Sequence, residues 1–274
     1  MTSIPDNRLI ATLASLRAAG KKTVLPFVTA GYPDLETTEA LLKDFQARGV
    51  KICELGIPFS DPVADGPVIQ ASYTDALAKG VTLGGIFEMV RRYRSGGGTI
   101  ALLCMISYSL VFRRGVETFL VDARAAGFDG LIIPDLPVEE AGALEPQAAA
   151  HGLANVLLIA PTTPENRQQD IARHSRGFIY YVSVAGITGE RTKLPPQTIA
   201  AVAELRKHTD IPVCVGFGIS NAETVKTVCQ AADGAIVGSA IVHRIADAVK
   251  QGLPRPQLVQ RVGEFVSTLL EPVK

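Results

Sequence analysis

Short apolar runs alternate along this chain with longer segments whose apolar residues recur at helical spacing. TVLPFVTA (23–30) is apolar almost throughout and rich in β-branched residues, which predicts a strand buried on both faces. LETTEALLKDFQARG (35–49) spaces Leu35, Ala40, Leu41, Phe45 and Ala47 with charge between them. It ends in Gly49, as a helix with a C-terminal glycine does. The alternation then repeats. Strands are predicted at 50–57, 99–107, 130–137, 154–163, 177–184, 211–218 and 233–239. Helices are predicted at 67–79, 84–95, 114–127, 138–152, 164–175, 196–208, 220–231, 240–252 and 255–270. Glu139 and Glu140 open the 138–152 segment, where the helix dipole favours acids.

Eight such strand–helix units in about 250 residues point to a closed (β/α)8 TIM barrel. A doubly wound sheet shows the same alternation, but eight units favour closure. An extra N-terminal amphipathic helix (8–19), with Leu9, Ile10, Leu13 and Leu16 on one side, is expected to cover the barrel bottom. No linker rich in Pro, Gly or Ser divides the chain, so residues 1–274 are expected to form one domain.

Composition narrows the function. The chain is 47% hydrophobic, enough for a large core. Its 27 basic residues balance 27 acidic ones, so no basic field favours a nucleic acid or a membrane surface. The start, MTSIPDNRL, lacks the basic-then-apolar pattern of a signal peptide, and the longest apolar run (100–112) is too short to span a bilayer. Cys53, Cys104, Cys214 and Cys229 show no metal-binding or redox spacing; the first three fall in predicted strands and read as core. A cytoplasmic, reducing setting is expected.

Active sites of such barrels lie at the C-terminal ends of the strands. There the sequence places Glu54, inside the second strand, and Asp61 and Asp65 on the loop after it. Burial raises the pKa of an unpaired carboxyl, which suits it to proton transfer near neutral pH. Each acid has a structural alternative: an ion pair for Glu54, a helix N-cap for Asp65 before Gly66–Pro67, and loop shaping for Asp61 before Pro62. Asp135, between Pro134 and Pro137, either caps a helix or braces the loop after the second strand. Glycine-rich turns GITGE (186–190), VGFGIS (215–220) and VGSAIV (237–242) follow the last three strands. The last two run into helix starts, where N–H groups and the dipole favour an anion, so a phosphate is expected there, with Ser239 adding a hydroxyl. Nucleotide fingerprints are missing. The four histidines fall on helices or their ends, so no triad or metal cluster is indicated. Proton transfer on a phosphorylated small molecule, without metal or other cofactor, is the chemistry left.

ELGIPFSDPVADGPVIQ (54–70) resembles the signature of the tryptophan synthase alpha chain family. LPFVTAGYPD (25–34), PDLPVEE (134–140), GITG (186–189), GFGIS (216–220) and GSAIV (238–242) resemble its other motifs, in order. The resemblance implies a lyase that splits indole-3-glycerol phosphate into indole and glyceraldehyde 3-phosphate by retro-aldol cleavage. It assigns acid/base work to Glu54 and the indole N–H to Asp65. It places Phe27, Ile69 and Tyr180 around the indole, and Gly189, Gly218, Gly238 and Ser239 at the phosphate. Thr188 falls on the loop that closes over substrate. It also implies a beta-subunit partner in an alpha2beta2 assembly. Where the family has an asparagine–proline pair after the third strand, this chain has Ser109 and Leu110, and Val184 stands where a basic or polar residue is usual. Three alternatives remain: a stand-alone lyase, a non-catalytic barrel that activates a partner, and a phosphosugar isomerase of similar fold.

Overall fold

The structure is a computed structural model that describes residue 4 and residues 6–62, 65–183 and 196–274. Among these, eight parallel strands close into a barrel in chain order, with the eighth pairing back to the first. They are β1 (Thr23–Thr29), β2 (Ile52–Gly56), β3 (Ala101–Met105), β4 (Gly130–Ile132), β5 (Ala154–Ile159), β6 (Ile179–Val182), β7 (Val213–Gly216) and β8 (Gly234–Val237). Nearly every strand residue is buried, as expected of strands with the barrel core on one side and helices on the other. Parallel partners share a face, so register sets the interior layers. Phe27 pairs with Glu54 and Glu54 with Leu103, which puts a carboxylate in an otherwise apolar layer. Tyr180 pairs with Leu158 and Cys214 in the opposite wall.

The outer ring consists of α2 (Leu35–Ala47), α3 (Pro67–Ala78), α4 (Leu83–Ser95), α5 (Tyr108–Arg114), α6 (Val116–Ala126), α7 (Val138–Ala150), α8 (Glu165–His174), α9 (Pro196–Leu205), α10 (Ala222–Val228), α11 (Ser239–Lys250) and α12 (Arg255–Leu270). They dock through stripes at helical spacing: Leu258, Val262, Val266 and Leu269 are the buried face of α12.

The N-terminal helix α1 (Arg8–Ala18) lies under the barrel, as the sequence leads one to expect. Asn7 caps it and donates from Nδ2 to the carbonyls of Asp129 (2.6 Å) and Gly152 (2.8 Å), which precede β4 and β5. Leu9 packs where a Cβ on Gly177 would stand. Asp129 is fully buried at this floor. It accepts from Arg8 Nη1 (3.1 Å), Arg94 Nη2 (2.8 Å) and the Leu102 N–H (2.9 Å), joining α1, α4 and β3 through one side chain.

Two expectations need correction. The strands are shorter than the apolar runs: the run 130–137 holds a strand only at Gly130–Ile132. The helix expected at 114–127 is present as α6, but an unanticipated helix, α5, precedes it, and Gly115, at φ 86°, turns the chain between the two. Cys53, Cys104 and Cys214 are buried, as expected of core residues. No helix among the described residues is long and apolar enough to cross a membrane.

Candidate active site

Glu54 lies at the centre of the site. It sits on β2 with its side chain in the barrel interior, is fully buried, and neither carboxylate oxygen has a hydrogen-bond partner among the described residues. The ion-pair alternative therefore fails among the described residues. Burial alone holds its carboxyl well above the usual carboxylate range. An unpartnered buried acid is costly to a fold, and such groups concentrate where a pKa must be tuned for chemistry.

Asp65, unlike Glu54, lines both cavities of the site. It too is nearly buried, and burial raises its pKa to about 6. It does not cap α3: the cap position is Gly66, which makes no side-chain cap bond, with Pro67 in the first turn. Its backbone is fixed instead, by its N–H donating to the Pro62 carbonyl (3.0 Å) and its carbonyl accepting from Gln70 Nε2 (2.8 Å). The loop thus holds the carboxyl in place without using it up. Asp61 is exposed and accepts from Ser60 Oγ (2.6 Å), in keeping with loop shaping.

Two cavities meet at Asp65 and Met105. One, of about 460 Å³, is lined by Phe27, Asp65, Ile69, Tyr180, Gly218, Gly238 and Ser239, together with Met105, Phe217, Ile219 and Ile236. So the fold brings together seven of the residues singled out in the sequence. Thr188, Gly189 and Val184 lie outside the described residues. The second cavity, of about 400 Å³, runs past Tyr73 and Ile106 to Ser107 and Asp135.

One end of the first cavity can receive an anion. Gly238 is the cap position of α11 and offers no side chain, so the first-turn N–H groups of a twelve-residue helix carry no cap bond from it. The start of α10 differs from expectation. Asn221 Oδ1 accepts from the Thr224 N–H (2.9 Å) and Thr224 Oγ1 accepts from the Asn221 N–H (3.2 Å), so its donors are satisfied internally. The β7 loop contributes through its backbone instead. Phe217 (φ 72°) and Gly218 (φ 73°) are both left-handed. That conformation costs a non-glycine residue about 1 kcal/mol. Ser183 Oγ donates to the Phe217 carbonyl (2.5 Å) and holds it there.

Asp135 takes the first of its two anticipated roles, at a helix other than the one that follows it. It accepts from Ser107 Oγ (2.7 Å) and the Tyr108 N–H (2.8 Å), closing the start of α5 rather than of α7. No histidine lines either cavity. Among the described residues no group of three or more His, Cys, Asp or Glu is placed to hold a metal ion. Sequence reasoning missed Tyr73, Met105, Phe217, Ile219 and Ile236. For Tyr73 a signal existed: it follows Ile69 by four residues on one helix face. Phe217 gave none, since its backbone angle is set by the loop.

A deeply buried acid, a second nearly buried acid, apolar walls and an uncapped helix start suit an apolar ligand that carries an anionic group. Comparison with known proteins agrees. The family profile described as "Tryptophan synthase alpha chain" matches residues 13–270. The tryptophan synthase alpha chain of a Picosynechococcus strain is 44% identical over 274 residues, covering 100% of both chains. The structure of tryptophan synthase subunit alpha from Legionella pneumophila superposes with a TM-score of 0.89 at 35% identity, covering 97% of this chain and 98% of that one. A chain of the tryptophan synthase complex from Pyrococcus furiosus superposes with a TM-score of 0.82 at 34% identity, covering 92% and 99%. Fold and sequence agree, and the chain belongs to the tryptophan synthase alpha chain family.

Proposed function

We propose that this lyase cleaves indole-3-glycerol phosphate into indole and glyceraldehyde 3-phosphate by a retro-aldol reaction. The observation that carries the reading is Glu54: a buried acid with no hydrogen-bond partner among the described residues, paired in register with Phe27, which lines the cavity that Asp65 also lines. The indole lies among Phe27, Ile69 and Tyr180, and the phosphate lies at Gly218, Gly238 and Ser239. The family resemblance assigns Thr188 and Gly189, which lie outside the described residues, to the same substrate site.

Carbon 3 of indole leaves poorly until it is protonated. Glu54, neutral because it is buried, gives its proton to that carbon, and the ring takes up positive charge at its N–H. Asp65 is ionised above about pH 6 and faces that N–H, stabilising the charge as it develops. The side-chain hydroxyl then returns a proton to Glu54. Its oxygen forms the aldehyde C=O, the bond from carbon 3 to the side chain breaks, and the electron pair neutralises the ring. Glu54 ends as it began, so no external acid or base is consumed.

We further propose a beta-subunit partner that consumes the indole, in an alpha2beta2 assembly, working in the cytoplasm where the four unpaired cysteines stay reduced. The test is indole release from indole-3-glycerol phosphate, with and without beta subunit. Stimulation by the partner is expected. High activity alone would favour a stand-alone lyase, and no activity in either case would refute the enzyme reading.

A further inference from the structure

Tyr73 is a buried phenol on α3 with no role yet assigned. A Cβ built on Gly56 would fall 2.5 Å from Tyr73 Oη and 2.3 Å from Phe27 Cζ. The hydroxyl therefore lies against the inner face of β2. Gly56 is two residues beyond Glu54 on that same face, a strand step of about 6.6 Å. The phenol oxygen thus lies about one strand step above Glu54, on a side chain that lines the second cavity, which meets the first at Asp65 and Met105. Tyr73 is only 3% exposed, yet its hydroxyl bonds to no described residue. A buried phenol normally finds a partner. The cleft's other buried phenol points elsewhere: Tyr180 Oη lies 2.3 Å from a Cβ built on Gly216, in the β7 wall.

We propose that the Tyr73 hydroxyl donates a hydrogen bond to the substrate's side-chain oxygen that becomes the aldehyde. This rests on the cleavage proposed above and extends it. As Glu54 takes the proton from that hydroxyl, negative charge builds on the oxygen until the double bond forms. A fixed neutral donor stabilises that charge and adds no positive charge to compete with the ring for Asp65. Burial, reinforced by the Asp65 carboxylate, pushes the Tyr73 hydroxyl well above its ordinary value, so it remains a donor at neutral pH.

Tyr73→Phe tests this, because it keeps the ring that packs beside Phe27. Two measurements are made on the full chain: turnover of indole-3-glycerol phosphate, and affinity for 3-(indol-3-yl)propyl phosphate, which has the ring and phosphate but neither hydroxyl. The expected result is a loss of roughly 10- to 100-fold in kcat/KM. Affinity for the deoxy analogue should stay within about twofold, since the lost bond has no counterpart there. Turnover close to wild type would overturn the assignment. So would a parallel loss of turnover and analogue affinity, which marks a packing role. A wild-type chain that releases no indole would instead overturn the cleavage on which the assignment rests, and the Tyr73 reading with it.

Discussion

Asp65→Asn should make this protein more stable while disabling it. The Asp65 carboxyl is nearly buried and makes no hydrogen bond to a described residue, and its pKa stands at about 6 against 3.8 for an exposed aspartate. Below pH 3.8 the group is protonated in both folded and unfolded chains, and the substitution changes little through charge. As the pH rises towards 6 the unfolded chain ionises first, so wild-type stability falls. Above pH 6 the full penalty is in place. At 1.36 kcal/mol per pH unit, the gap between 3.8 and 6 is worth about 3 kcal/mol as an upper figure. Asparagine matches the shape, and the backbone bonds to Pro62 and Gln70 do not need the carboxylate. Urea unfolding at pH 4 and at pH 7.5 should therefore show the variant near wild type at the lower pH. It should be more stable, by up to about 3 kcal/mol, at the higher. Indole release should fall by about 10²- to 10³-fold, as for other losses of transition-state charge stabilisation. A variant no more stable than wild type at pH 7.5, or one whose difference ignores pH, would refute the reasoning.

Three further outcomes follow from the same geometry. Glu54→Gln should abolish turnover in the indole assay while equilibrium dialysis still detects bound substrate, and its stability relative to wild type should rise with pH, because the buried carboxyl of Glu54 titrates well above its unfolded value. Gly56→Ala drives a methyl against Phe27 and Tyr73, so it should cost about 1–3 kcal/mol in denaturant unfolding and lower turnover through the displaced rings. Asp129→Ala leaves Arg94 buried without its carboxylate and should cost about 3–5 kcal/mol of stability, while the KM of any remaining folded enzyme stays close to wild type.

Much of this was legible in the chain because barrel strands are dry on both sides. No alternation masks them, and Val24, Leu25, Leu102, Leu103, Val213 and Val215 announce themselves as apolar runs. Glu54 was legible for the same reason: a carboxylate in such a run has nowhere ordinary to go. Strand ends were not legible, since pairing with neighbours, rather than local hydropathy, decides where β4 stops after three residues. The start of α5 was hidden because Asp135, 27 residues away in sequence, supplies the acceptor for the Tyr108 N–H. The left-handed Phe217 was hidden too, since only the loop and the Ser183 hydroxyl enforce it. The closed start of α10 could have been read, because Asn221 followed by Thr224 is a capping pair.

The Asp129 clamp bears on the order in which the molecule can form. Asn7, Arg8, Arg94, Leu102, Asp129 and Gly152 all belong to the first 152 residues of the chain. During synthesis these leave the ribosome before Tyr180, Gly218, Gly238 or Ser239 has been made. The floor under β3, β4 and β5 can therefore lock while the barrel is still an open half. The later strands arrive at a template already carrying Glu54 and Asp65, and the wall proposed to receive the phosphate is the last to be built.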